Sequence, residues 1–114
     1  MRSLSIQVQP ARSPGIDMAG VLAEFESVAG VTELVKHHAF DSGDDQEYFN
    51  FTFGTTEAKT LWQLIQSRLY NSGDFSSHMR QASMAMCSSD EGWNNYILLY
   101  HFDPAISLDD AHAL

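Results

Sequence analysis

Apolar and polar residues alternate from the start of the chain: Leu4, Ile6 and Val8 fall on one side of an extended segment, and Ser3, Ser5, Gln7 and Gln9 on the other. Period-2 alternation is the signature of a strand with one buried face, so residues 3–9 are predicted as a strand that Pro10 and the following RSPG end. The period then changes. Met18, Val21, Leu22, Phe25 and Val28 recur at spacings of three and four, with Asp17, Glu24 and Glu26 off that stripe. This predicts an amphipathic helix with Ser13 as N-cap, Pro14 at its first position and Gly30 as the C-terminal glycine after Ala29.

A run at 31–40, VTELVKHHAF, reads as the next strand. The polar DSGDDQ links it to EYFNFTFG at 47–54, where Phe49, Phe51 and Phe53 alternate with Tyr48, Asn50 and Thr52. A short polar link between two extended runs predicts an antiparallel hairpin. Thr55 or Thr56 caps a second helix, and Glu57 stands in its first turn, where a negative charge suits the helix dipole. Its stripe is Ala58, Leu61, Leu64 or Trp62, Ile65 and Leu69, and YNSGD at 70–74 ends it. FSSHMRQA carries a weak signal for one more helical turn. Two extended runs, 83–88 and 95–102, flank the turn-rich SDEGWNN and predict a final hairpin. The DPAISLDDAHAL that follows has a proline and three aspartates. We expect one domain over 1–104 and a flexible acidic tail over 105–114.

The resulting order, strand, helix, strand, strand, helix, strand with an extra C-terminal strand, resembles the ferredoxin-like βαββαβ sandwich. The resemblance covers residues 3–102 and rests on element order. It implies an α+β fold whose antiparallel sheet carries two helices on one face, and no particular function, because this architecture hosts unrelated ones.

Charge narrows the partners. Six basic against 15 acidic residues leave a net charge of −9 over 114 residues, and Arg2, Arg12, Lys36, Lys59, Arg68 and Arg80 are scattered rather than clustered. Nucleic-acid binding needs a concentrated positive field to displace phosphate counterions, so no nucleic-acid partner is expected. No apolar run approaches the roughly 20 residues of a membrane-spanning helix, and an acidic surface repels anionic lipid, so no membrane partner is expected either. The N-terminus alternates instead of forming an apolar signal-peptide core. The single Cys87 closes no internal disulfide and lacks zinc-site spacing, which together point to a reducing, cytoplasmic compartment.

The last strand raises the main functional question. Strict alternation puts Ile97, Leu99 and His101 on one face and Tyr96, Leu98, Tyr100 and Phe102 on the other, so both faces are apolar. Strands of that kind are normally covered on both sides. Helices cover one side of the sheet, and a homodimer packed face to face through the open side is the economical cover for the other. A ligand cleft on that face is the competing one.

Candidate chemistry is sparse. His37, His38 and His101 lie on or near the sheet, and Glu33, four residues before His37, would share its side of a strand. Glu33, His37 and His101 are thus the one acid/base or metal triad that can be assembled. No local motif such as H-x-H or H-E-x-x-H supports it, and ordinary strand histidines are the plainer reading. Asp41, Asp44, Asp45 and Glu47 do not follow calcium-loop spacing, and a solvated hairpin loop explains them. Cys87 lies beside Met84 and Met86 as a small buried hydrophobe. No serine sits in G-x-S-x-G and no glycine-rich phosphate loop is present. Trp93 follows Gly92 in a polar turn and either folds back as a lid on the core or anchors a partner, the lid being preferred. The expected function is a small non-catalytic binding or regulatory module, without metal or cofactor, that self-associates through its open sheet face; Trp93, Tyr96, Leu98 and Tyr100 join the histidines as interface candidates. An immunity- or antitoxin-like inhibitor of a basic protein and a dimeric α+β barrel enzyme acting on a small apolar substrate are the alternatives.

Overall fold

Leu4, Ile6 and Val8 are fully buried in the first strand, β1 (Arg2–Val8), while Ser3, Ser5 and Gln7 between them stay half-buried. The alternation along the sequence corresponds to the two sides of a sheet. The computed structural model describes residues 1–89 and 92–114. It is an α+β fold in which β1, β2 (His37–Ser42), β3 (Phe49–Thr55), β4 (Ser83–Ser89) and β5 (Gly92–His101) form one sheet, every neighbouring pair antiparallel, in the order β2-β3-β1-β4-β5. The turn residues 90 and 91 expected at the last hairpin's tip lie outside the described residues.

Helix α1 (Met18–Ala29) buries Val21, Phe25 and Val28 from the expected stripe. The Phe25 ring stacks on Phe51 with centroids 4.2 Å apart. Truncating a buried phenylalanine to alanine costs about 3–5 kcal/mol, so this pair is a main fastening of helix to sheet. The helix ends at Ala29 as expected, but Gly30 keeps a right-handed φ of −73°. Its start differs too. Asp17, not Ser13, is the N-cap, and its Oδ1 accepts from the Gly20 N–H at 3.1 Å. Gly15 holds a φ of +90°, a left-handed turn no helix passes through, and it separates Ser13 and Pro14 from α1.

The strand expected over 31–40 is shorter and later. Residues 32–34 form a turn, with Val35 N–H donating to Val31 C=O at 2.9 Å, and β2 begins only at His37. The turn keeps Val35 in the core, where it is 5% exposed. Helix α2 (Ala58–Ile65) buries Ala58, Leu61, Trp62 and Ile65. It runs on as one π-helical segment, Gln66–Tyr70, whose wider turn brings both Leu69 and Tyr70 into the core. The weakly signalled turn before β4 is a third helix, α3 (Ser76–Ala82), running straight into that strand. Among the described residues three α-helices therefore stand where two were expected. Among the described residues no helix is long and apolar enough to cross a membrane.

Candidate functional site

Strand register assigns each sheet residue to a face. The helix-facing side is a continuous apolar floor: Phe51, Ile6, Ala85 and Tyr100 lie in one cross-strand row, and Phe53, Leu4, Cys87 and Ile97 in the next. The other side carries Asp41, Asn50, Gln7, Met84 and His101 in one row and Ala39, Thr52, Ser5, Met86 and Leu98 in the next. This open face thus divides. Its β2-β3-β1 half is polar, and its β4-β5 half holds Met84, Met86 and Leu98.

A directional chain of side-chain hydrogen bonds crosses the polar half. Arg12 Nε donates to Gln9 Oε1 at 2.6 Å, Gln9 Nε2 to Gln7 Oε1 at 2.9 Å, Gln7 Nε2 to Asn50 Oδ1 at 3.1 Å, and Asn50 Nδ2 to Asp41 Oδ1 at 3.1 Å. Each amide accepts at its oxygen and donates at its nitrogen, so the chain runs from a guanidinium to a carboxylate and every bond polarises the next in the same sense. Beside it Ser5 and Thr52 hydroxyls pair at 3.1 Å. Arg12 also stacks 3.8 Å over the Phe102 ring, which tethers the cationic end to the residue after β5. The polar residues that form this chain were legible as the wet side of alternating strands. Their connection was not, because it depends on which strands pair and in what register.

β5 departs from strict alternation. Tyr100 pairs with Ala85 and Leu98 with Met86, so Leu99 is an extra residue on β5, a β-bulge. The bulge reverses the face assignment between its two sides. Ile97 and Tyr100 share the helix-facing side and Leu98 and His101 share the open side, which corrects the grouping of Ile97 with His101 and of Leu98 with Tyr100. A second irregularity follows at the hairpin end, where residues 93–96 on β5 span the interval that Ser88 alone spans on β4. Trp93 and Tyr96 lie there, 44% and 50% exposed. Trp93 is therefore no lid over the core.

The Glu33, His37 and His101 grouping does not form. Glu33 is in the turn before β2 rather than on a strand. His37 is on one edge strand and His101 on the other, separated by four strand spacings, about 19 Å across the sheet, and offset along the strands as well. Among the described residues no group of three or more His, Cys, Asp or Glu side chains is placed to hold a metal. His37 has a local structural role: its ring lies over Gly54, where an added Cβ would collide with the imidazole. His101 Nδ1 accepts from the Asp103 N–H at 3.0 Å and closes the turn after β5.

One serine–histidine contact escaped the sequence reading. Ser13 Oγ lies 2.6 Å from His78 Nδ1 and 3.3 Å from Gln81 Oε1. Ser13 is only 3% exposed, so the contact ties the turn after β1 to α3 rather than presenting a nucleophile. Burial also governs the titrating groups of the core. It pushes the Tyr70 phenol well above its ordinary range against a smaller opposing effect of the Ser83 hydrogen bond, raises the Cys87 thiol despite nearby Arg2, and raises Tyr100 despite Arg80. A raised thiol is a poor nucleophile, and Cys87 is fully buried.

Three concavities have definite linings. A cavity of about 150 Å³ is lined by Trp62, Gln66, Tyr70, Asn71, Arg80 and Tyr100, well under the roughly 300 Å³ at which ligand pockets usually begin. Another, of about 220 Å³, lies between the chain ends and the start of α2, among Met1, Arg2, Thr55, Ala58 and Leu114. The third, an open groove of about 290 Å³, runs between α1 and the β2-β3 hairpin. Comparison of the chain with protein-family models, with curated proteins and with solved structures found no match.

Proposed function

We propose that this chain is a small acidic binding module that works by non-covalent recognition and self-associates through the open face of its sheet, on a ferredoxin-like core extended by β5. The element order of β1 through β4, with β1 and β3 central and β2 and β4 flanking them, supports the ferredoxin-like reading, and β5 adds a fifth strand beside β4. The observation that carries the function is the divided open face. Met84, Met86 and Leu98 form a half-buried apolar strip, and the Arg12-to-Asp41 chain fixes the polar groups beside it. Two copies related by a two-fold axis would bring their apolar strips together while the amide groups form the polar rim of an isologous interface.

Light scattering after size exclusion at two concentrations tests this. The expected mass is twice 12.7 kDa, falling to 12.7 kDa in Met86→Lys, which sets a charge in the middle of the strip. A monomer at every concentration overturns the reading. The net charge of −9 favours a second one, inhibition of a basic protein, with salt-sensitive capture of such a partner as its test. A dimeric α+β barrel enzyme would need a histidine-lined cleft on the open face, and the three cavities described above are lined by other residues.

A further inference from the structure

The two edges of the sheet are finished differently. On the β5 edge the Leu98 N–H donates to Asp109 Oδ2 at 2.8 Å and the Asp109 N–H donates to Leu98 C=O at 2.9 Å, so the chain after β5 occupies the outward backbone groups of Leu98. No described strand pairs with the outer side of β2, which is exposed apart from half-buried Phe40. Backbone direction along β2 follows from its hairpin. Gly43 N–H donates to Tyr48 C=O at 2.9 Å, and alternation from that pair turns the polar groups of Asp41 and Ala39 toward β3 and those of His38, Phe40 and Ser42 outward. Such a row is a template for an added strand.

The groove beside this edge supplies what a bare edge lacks. Leu22, Phe40, Phe49 and Phe51 form its apolar wall, Leu22 being 39% exposed, and Glu26 and Asp41 stand in its lining. Asp44, Asp45 and Glu47 follow in the turn at the C-terminal end of β2, whereas Lys36 stands at the other end with Nζ on the Thr32 and Glu33 carbonyls. We propose that the β2 edge and this groove bind an extended segment of a partner protein as a sixth strand, with aliphatic side chains at alternate positions on Leu22, Phe40 and Phe49 and lysine or arginine beside Glu26 and the acidic turn. Charge selects this occupant. At this edge a second copy would set Glu26, Asp41 and the acidic turn against their own duplicates, while a basic segment is attracted and its association is accelerated.

The probe is a fluorescein-labelled, amidated peptide, Lys-Lys-Val-Thr-Val-Thr-Val, titrated with the whole chain and followed by anisotropy. Saturable binding with a Kd of about 10–100 µM is expected. His38→Pro removes an outward N–H that β3 does not use, a change an edge strand tolerates, and should weaken binding about tenfold or more. Glu26→Lys should weaken it severalfold and flatten its salt dependence. N-methylation of the peptide valines, which leaves the protein untouched, should abolish binding even if His38→Pro disturbs the fold. The proposal is overturned by no saturation at about 1 mM, by equal binding of the N-methylated peptide, or by equal binding of a peptide with glutamate in place of lysine. A dimer that His38→Pro dissociates and Met86→Lys does not would assign the edge to a second copy and overturn it as well. Failure of the open-face dimer alone leaves these measurements unaffected.

Discussion

Ser83 opens β4 with a fully buried hydroxyl that donates to the Met79 carbonyl at 2.5 Å, which leaves its oxygen to accept from the Tyr70 phenol at 2.6 Å. The two substitutions of this pair are therefore unequal. Ser83→Ala leaves a buried phenol donor unpaired and should cost about 1–3 kcal/mol, whereas Tyr70→Phe removes donor and need together and should cost about 0.5–1.5 kcal/mol. Urea unfolding of both variants decides the order. The same phenol gives stability an alkaline dependence. Its folded pKa lies above its unfolded value near 10, so unfolding releases a proton once the pH passes about 10, and stability that is fully present below that point falls as pH rises. Tyr70→Phe should flatten that fall above about pH 10. Nothing in the sequence paired Tyr70 with Ser83. The stripe expected for α2 ended at Leu69, and only the π-helical segment turns the next residue inward as well.

Among the elements, β5 shows how one residue can undo a correct strand assignment. Side-chain period is two, so the single extra residue Leu99 reverses the faces on either side of it. Tyr100 reaches the helix side, where its ring lies tilted against Tyr70 with centroids 4.9 Å apart, and donates to the Arg80 carbonyl, while His101 turns to the open face. Bulges have no composition signature as strong as that of a turn, so the residues at 97–101 were legible as a strand and not as a kinked one. Contacts join the residues after it to the domain. Residues 105–114, expected as a flexible tail, include Asp109 on the Leu98 edge and Ala113, whose carbonyl accepts from Arg2 Nη1 at 3.3 Å. Replacing Asp109 by alanine should speed hydrogen exchange at the Leu98 amide by about tenfold, the scale set by one charge-assisted hydrogen bond, with little change at β1. Unchanged exchange at Leu98 would mean that Asp109 does not protect this edge.

For the whole molecule, a net charge of −9 sets a self-repulsion that the partly exposed Arg68–Glu24 contact at 3.9 Å does little to offset. Raising NaCl from about 20 to 200 mM should therefore raise the melting temperature by a few degrees, roughly the shift that 1 kcal/mol produces in a domain of this size. A melting temperature that falls with salt would place the balance of charge elsewhere. By itself the sequence determined β1 and β3 as strands, the bodies of α1 and α2 as helices, and which side of β1, β3 and α1 is buried, because hydrophobic period is a local property of the chain; the start of β2 and the extent of α3 were not set by it. Leu4, Ile6, Val8, Phe25, Phe51 and Phe53 all lie where that period puts them. Tertiary structure alone decided that His37 and His101 stand at opposite edges, that three amides join Arg12 to Asp41, and that one edge is strapped while the other is open. Each of these depends on strand order, register or a bulge. Those are set by the packing of segments far apart in the chain, which no local pattern encodes.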